Sequence, residues 1–136
     1  MGQLKSALQG GAIRPFGIYN MNPATSIKSN SDFRRIYARG KSAVSPCVVL
    51  YCRKNRLSEN RAGYTVSKKL GGAVVRNRIR RRLREIVRLN SGCMKQGYDL
   101  ILVARSRAVN ADYQKLEKDT LSCFGQLRLL RDREET

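Results

Sequence analysis

The amino-acid sequence predicts a single α+β domain in which a helix, a set of strands, a second helix, a last strand and a third helix follow one another. Three observations predict it. Apolar residues recur at helical spacing at Phe33, Ile36 and Tyr37, from Val75 to Val87, and from Tyr113 to Leu127. Between these stretches lie β-branched and alternating runs at 41–53, 61–67 and 98–105. With 136 residues, 41% of them apolar, the chain can bury one core of ordinary size, and a second domain would leave both halves small.

The stretch Met1 to Ser29 holds four glycines, two of the three prolines and no clear period, so residues 1–28 are expected to form a flexible N-terminal arm. The folded domain is expected over 29–130. Ser and Asn caps near Ser29 precede Phe33, Ile36 and Tyr37, and Gly40 ends that short amphipathic helix. Pro46 divides the following apolar run into a short edge strand and a longer strand. Lys54 to Asn60 reads as a hairpin loop, so the alternating strand at 61–67 is expected to pair antiparallel with its predecessor. Val75, Ile79, Leu83, Ile86 and Val87 lie along one side of a helix from about Ala73 to Leu89. Gly92 closes that helix, and the continuous apolar run at 98–105 suits a central strand. Asn110 or Asp112 caps a final helix with Tyr113, Leu116, Thr120, Phe124 and Leu127 on one stripe, and 131–136 is expected to be a loose charged tail.

Charge narrows the function. The formal net charge is +18, from 28 Lys and Arg against 10 Asp and Glu, well beyond the magnitude of about 2–8 that solubility asks of a small domain. Six of the ten acids lie at or beyond Asp112, so the first three quarters of the chain are more basic still. Between Arg76 and Arg88 stand seven arginines and one acid, Glu85. A solvated helix normally intersperses acids for i, i+4 pairing, so this density points to a polyanion partner. Arg76, Arg80, Arg84 and Arg88, spaced by four, are expected to make one ridge roughly 25 Å long at 1.5 Å per residue. Guanidinium forks suit phosphate, Asn77 offers an amide to a base or sugar edge, and Ser67, Lys68 and Lys69 extend the positive surface to the helix N-terminus, where backbone amides favour an anion.

Other chemistries fit poorly. Histidine is absent, and Cys47, Cys52, Cys93 and Cys123 show no Cys-x-x-Cys spacing, so no metal site is expected and buried, reduced cysteines in a cytoplasmic protein are. Asp32, Glu59, Glu85 and Asp99 are scattered, which leaves no evident general base or carboxylate pair and no catalytic residue to nominate. No apolar stretch approaches the roughly 18 residues that cross a bilayer.

At these residues the sequence resembles the protein subunit of bacterial ribonuclease P. The resemblance rests on Ser67-Lys68-Lys69, Gly71, Ala73-Val74-Val75-Arg76-Asn77-Arg78 and Arg81-Arg82-Leu83-Arg84-Glu85, and extends from about Ile27 to Leu130 through Asp32-Phe33, Ile36-Tyr37, Gly40-Lys41-Ser42, Leu50-Tyr51, Gly63 and the strand at 99–105. One departure is Gly72, where the family usually carries Asn, which removes a side-chain cap or contact at the helix start. The resemblance implies an α-β-β-β-α-β-α order like domain two of ribosomal protein S5, with a left-handed βαβ crossover, although chain physics alone favours the right-handed form. It implies a protein that assists a catalytic RNA in removing the 5′ leader of precursor tRNA with Mg²⁺, with no small-molecule substrate and no membrane partner. By matching positions, Lys68, Lys69, Arg76, Asn77, Arg78, Arg81, Arg82 and Arg84 would contact the RNA subunit, while Phe33, Tyr37 and Tyr51 would line a cleft for the single-stranded leader.

The cleft has its own physical rationale, because exposed aromatics beside cations stack on unpaired bases with little sequence preference. Phe33 has equally the spacing of a core anchor, whereas Tyr37 and Tyr51 carry hydroxyls that prefer an edge position. The competing class is a ribosomal or other structured-RNA-binding protein, separated from the first reading only by the long match from Ser67 to Glu85. A cationic membrane-surface protein would need an exposed apolar face opposite the arginines, and here that face is the seam between helix and sheet.

Overall fold

A computed structural model of the chain describes residues 25–27 and 29–131. Its elements are β1 (Thr25–Ser26), α1 (Asn30–Arg39), β2 (Lys41–Val44), β3 (Val48–Lys54), β4 (Arg61–Thr65), α2 (Ala73–Asn90), β5 (Tyr98–Ala104) and α3 (Tyr113–Gln126), with single 3-10 turns at Lys68–Leu70, Ser91–Cys93 and Ser106–Val109. The order matches the expected α+β domain, preceded by a two-residue strand. Thr25 and Ser26 pair in parallel with Arg61 and Ala62, and Ile27 is buried, so the sheet begins before Ser29. The remainder of the expected arm, 1–24 and 28, lies outside the described residues, as does 132–136 of the tail. Arg131 itself is held, its amide donating to Cys93 and its guanidinium to Gly92.

The strands form one mixed sheet of order β1-β4-β5-β3-β2. β3 pairs antiparallel with β2 across the Pro46 turn and with β5 on its other edge. β4 was expected beside β3 and is not there: it runs parallel to β5, which lies between the two. The reason is the composition of β5. Leu100, Ile101 and Leu102 are fully buried on alternating faces and their backbone needs partners on both edges, so β5 takes the centre and the more polar β4, with its glycine, moves outward. The 55–60 connection is tied to β5 rather than closing a hairpin: Asn55 Nδ2 donates to Asp99 and the Asn60 side chain accepts from the Tyr98 amide.

Alternation along β5 sorts the molecule into two layers. Leu100, Leu102 and Ala104 join Leu50 and Cys52 of β3 beneath α2 and α3, whose Ile79, Leu83, Ile86, Leu116 and Phe124 complete the main core. Ile101 lies on the opposite face with Ile27 and Ile36 beneath α1, flanked by Phe33, Tyr51 and Val103. Local signals set the helix ends. Ser29 caps α1 by accepting from the Asp32 amide, and Asp112 caps α3 by accepting from Lys115. Cys47, Cys52 and Cys123 are buried. Burial and the neighbouring Asp119 push the Cys47 thiol up to about 11, so it stays protonated and inert.

Two contacts seat α1. An ideal Cβ on Gly63 would lie 2.6 Å from the Phe33 ring, so the glycine is what lets the helix approach the sheet. Gly63→Ala should therefore displace the ring and cost about 1–3 kcal/mol, read as a lower urea midpoint; an unchanged midpoint would contradict the packing described.

Below this contact Arg61 grips Asp99 with two bonds of 2.8 and 2.6 Å and reaches Asp32 at 3.5 Å. Burial raises the Asp99 carboxyl, but hydrogen bonds from Arg61 and Asn55 outweigh it and hold the group below its ordinary value. A depressed folded pKa contributes stability above the unfolded value of about 3.9 and loses it as pH falls through the folded one. Stability should fall as the pH drops below about 4, whereas Asp99→Asn, weaker by about 3 kcal/mol at neutral pH, should show a shallower acid limb in pH-dependent denaturation.

Candidate nucleic-acid interface

The apolar stripe of α2 fixes where its arginines go. With Ile79, Leu83, Ile86 and Val87 turned into the core, the intervening positions leave the helix in two flanks and an outer face. On the flank toward α3, Arg78 donates to the Val109 carbonyl at 3.0 Å and Arg82 to the Ala111 carbonyl at 3.2 Å. These two guanidiniums hold the connection between β5 and α3. On the flank toward β4, Arg76 folds back to the Gly71 carbonyl at 3.1 Å, and Arg84 stacks 5.5 Å from the centre of the Tyr64 ring. Burial pushes the Tyr64 hydroxyl up to about 12, so the ring beneath Arg84 stays neutral.

The outer face is left to Asn77 and Arg81, both exposed, with the exposed Arg84 at its edge and Arg80 donating to the Asn77 side chain. The expected ridge from Arg76 to Arg88 ends one turn early. Arg88 makes two bonds to Glu85, at 3.0 and 2.7 Å, and these bonds hold the Glu85 carboxyl below its usual range, so the pair is neutral as a unit. Arg76, Arg78, Arg80 and Arg82 each direct a donor at the protein, which orients the fork and leaves further donors for phosphate, while Arg84 is held by the Tyr64 ring.

At the N-terminal end of α2, Ser67 accepts from the Lys69 amide and begins the turn that presents Lys68 and Lys69, both exposed. Gly71 has φ of 147° and packs against Val75, a backbone that side chains rarely adopt. Gly72 is the N-cap and makes no side-chain cap bond, as its departure from the usual Asn implied. The first turn of α2 therefore has amides that no Gly72 side chain can cap, and its Val74 side chain is 82% exposed.

On the other face of the sheet the three aromatics come together. Tyr37 meets Tyr51 edge-on at 4.8 Å between centroids and Phe33 at 6.4 Å. Its hydroxyl lies 3.3 Å from the Thr65 hydroxyl. Tyr37 is exposed, whereas Phe33 and Tyr51 are half-buried against Ile101 and Ile36, so Phe33 is packed into the small core while its edge borders the cluster. Reading the sequence alone missed Thr65 and the Tyr64 platform under Arg84. Strand alternation placed both, but their partners on α1 and α2 come from tertiary packing.

Among the described residues no group of three or more potential metal ligands converges. Asp32 and Asp99 approach each other only through Arg61, which occupies both, so they do not fit a Mg²⁺ site. No helix of the described residues is long and apolar enough to cross a membrane.

An arginine helix on one face of a small α+β domain and an aromatic cluster on the other define an RNA-binding protein that presents two separate surfaces. The sequence profile of the Ribonuclease P family matches residues 21–128, and the chain belongs to this family of ribonuclease P protein components. It is 43% identical over 110 residues to the ribonuclease P protein component of Natranaerobius thermophilus, covering 81% of this chain and 96% of that one. The solved RNase P protein of Staphylococcus aureus superposes with a TM-score of 0.74 at 32% identity, over 79% of this chain and 99% of its own. A Staphylococcus aureus RNase P protein mutant, described as having defective mRNA degradation activity, also gives 0.74, at 28% identity over 88% of this chain and all of its own.

The division of labour along α2 is open to direct measurement. Arg78→Ala and Arg82→Ala should each cost about 1 kcal/mol of stability, read as a lower urea midpoint, as well as weakening RNA binding. Arg81→Ala should weaken binding with no change in stability, and equal stability losses at all three positions would contradict the assignment.

Proposed function

We propose that this chain is the protein component of a ribonuclease P ribonucleoprotein and acts by binding two RNAs at once. The observation that carries the reading is the family match over 21–128, a span that contains both the arginine helix and the aromatic cluster. Lys68, Lys69, Arg76, Asn77, Arg78, Arg81, Arg82 and Arg84 bind the catalytic RNA subunit through its phosphates, with the uncapped first-turn amides of α2 taking part. Phe33, Tyr37 and Tyr51 stack on unpaired bases of the precursor tRNA leader. Stacking tolerates any base, which suits a leader that differs between tRNAs.

In this reading the chemical step belongs to the RNA. The protein offers no histidine, and its converging carboxylates are occupied by Arg61. Mg²⁺ is held by the RNA and supplies its Lewis acidity there. The chain's own residues position the leader and neutralise backbone phosphates, and the holoenzyme works in the cytoplasm with the four thiols reduced. The mRNA degradation attributed to a relative makes an RNA-free control decisive.

Cleavage of a 5′-extended precursor tRNA at low Mg²⁺ tests the reading with protein alone, a bacterial ribonuclease P RNA alone, and both together. Activity should be strong only in the mixture; leader removal by protein freed of RNA would overturn the assignment of chemistry to the RNA. Within the mixture, Tyr37→Ala should weaken affinity for leader-bearing tRNA by about 1–3 kcal/mol and leave mature tRNA unaffected. Equal losses for both tRNAs would contradict the cleft.

A further inference from the structure

α1 has two flanks, and only one carries the aromatic cluster. Phe33 and Tyr37 project to one side of the buried Ile36, while Asp32, Arg35 and Arg39 project to the other. The sheet beneath repeats the division. Gly63, Ile101 and Tyr51 form one cross-strand row under the aromatics; two residues along, about 7 Å, Arg61, Asp99 and Arg53 form the next. This second row floors a recess of about 350 Å³ between α1, the end of β3 and the 55–60 connection.

Its lining is cationic. Arg35, Arg39, Arg53, Lys54, Arg56 and Arg61 surround it, and among the described residues that line it Asp32 and Asp99 are the only acids and Ile36 the only apolar side chain. The acids are already satisfied: Arg61 and Asn55 bond to Asp99, and Arg35 and Arg61 to Asp32. Among the described residues no carboxylate lies within ion-pair distance of Arg39, Arg53, Lys54 or Arg56. Four cations thus line one opening without an ion pair among the described residues, Arg53 lying across the strand pair from Asp99, whose carboxylate Arg61 already holds.

The rim is built rather than loose. Asn55 accepts from the Leu57 amide and donates to both the Glu59 carbonyl and Asp99, and its own amide donates to Gly97. This frame holds Arg56 at φ of 66°, a left-handed backbone that an arginine seldom takes.

We infer that this recess is a second phosphate-binding site, which takes backbone phosphates of RNA on the flank of α1 opposite the aromatic cluster. The inference rests on the RNA-binding reading above, and goes beyond it by adding a separate site. The lining lacks an aromatic platform, so it reads charge and not bases. Guanidinium forks in a shallow, hydrated setting suit the singly charged phosphodiester. The source is either the 5′-distal part of a leader or the RNA subunit.

The test removes charge without touching an ion pair. Arg39→Ala combined with Arg56→Gly takes two cations from the recess and leaves the loop in a backbone that glycine accepts. Arg34→Ala combined with Lys118→Ala removes the same charge from exposed positions elsewhere and serves as the control. Binding of a fluorescent 15-nucleotide polyuridine to the full chain is followed against salt. The recess variant should lower the slope of log K against log salt by about 1.4, a loss of roughly twenty-fold at 0.1 M that vanishes near 1 M. The control should keep the parent slope. Equal slopes for recess and control variants, or the same dependence for a polyglutamate peptide, would overturn the site. In the holoenzyme, a loss confined to precursors with 12-nucleotide rather than 4-nucleotide leaders assigns the recess to the leader, and an equal loss in assembly with the RNA subunit assigns it there; no loss in either overturns it. Tyr37→Ala run in parallel reports on the aromatic cleft separately, so failure of one site is distinguishable from failure of the other.

Discussion

The alternation of side chains along β5 is the constraint from which both faces of this protein follow. Leu100 and Leu102 point into the layer that seats α2 and α3, and Ile101 points into the layer that seats α1. A strand buried on both faces has no solvent side, so each face must be covered, and each covering helix turns its other side to water. The arginines of α2 and the aromatics of α1 are therefore held on opposite sides of one sheet, an arrangement that suits the proposed binding of two RNA segments.

Charge density on this chain has a structural use as well as a binding one. Arg78 and Arg82 cross-link α2 to the start of α3, Arg105 donates to the Ser45 carbonyl, and Arg61 ties the first strand rows to α1. Arg78, Arg82 and Arg105 each hold a backbone carbonyl, and Arg61 holds two carboxylates. In the proposed reading, arginines held this way would meet a phosphate already oriented, so less side-chain entropy would be lost on binding than for a lysine on a free stem. In the proposed reading fold and ligand share the same side chains, on a helix with one acid among seven arginines whose apolar stripe keeps it packed.

Local signals made much of this legible before any coordinates. The Ser29 and Asp112 caps, the apolar stripe of α2 and the central place of β5 are each dictated by a few neighbouring residues, and each is found where the residues put it. The partner of β4 was not legible, because a six-residue polar connection is compatible with a hairpin and only the competition for the edges of β5 decides against it. The roles of individual arginines were hidden for a similar reason. Spacing by four says that Arg76, Arg80, Arg84 and Arg88 share a flank, but Glu85 neutralises the last, and Tyr64 stacks beneath the third from a strand twenty residues earlier. Helical periodicity places side chains on a face; which carbonyl, ring or carboxylate meets them is set by the neighbouring elements.

The central claim is that the two faces hold different RNAs, and cross-linking from within the assembled complex tests it most directly. A photoreactive benzophenone placed at position 77 on the outer face of α2, or at position 37 on α1, would be activated in a complex of protein, ribonuclease P RNA and leader-bearing precursor tRNA. Position 77 should cross-link to the RNA subunit and position 37 to the leader. Cross-links from both positions to the same RNA would contradict the account, since the sheet would then not separate two binding surfaces.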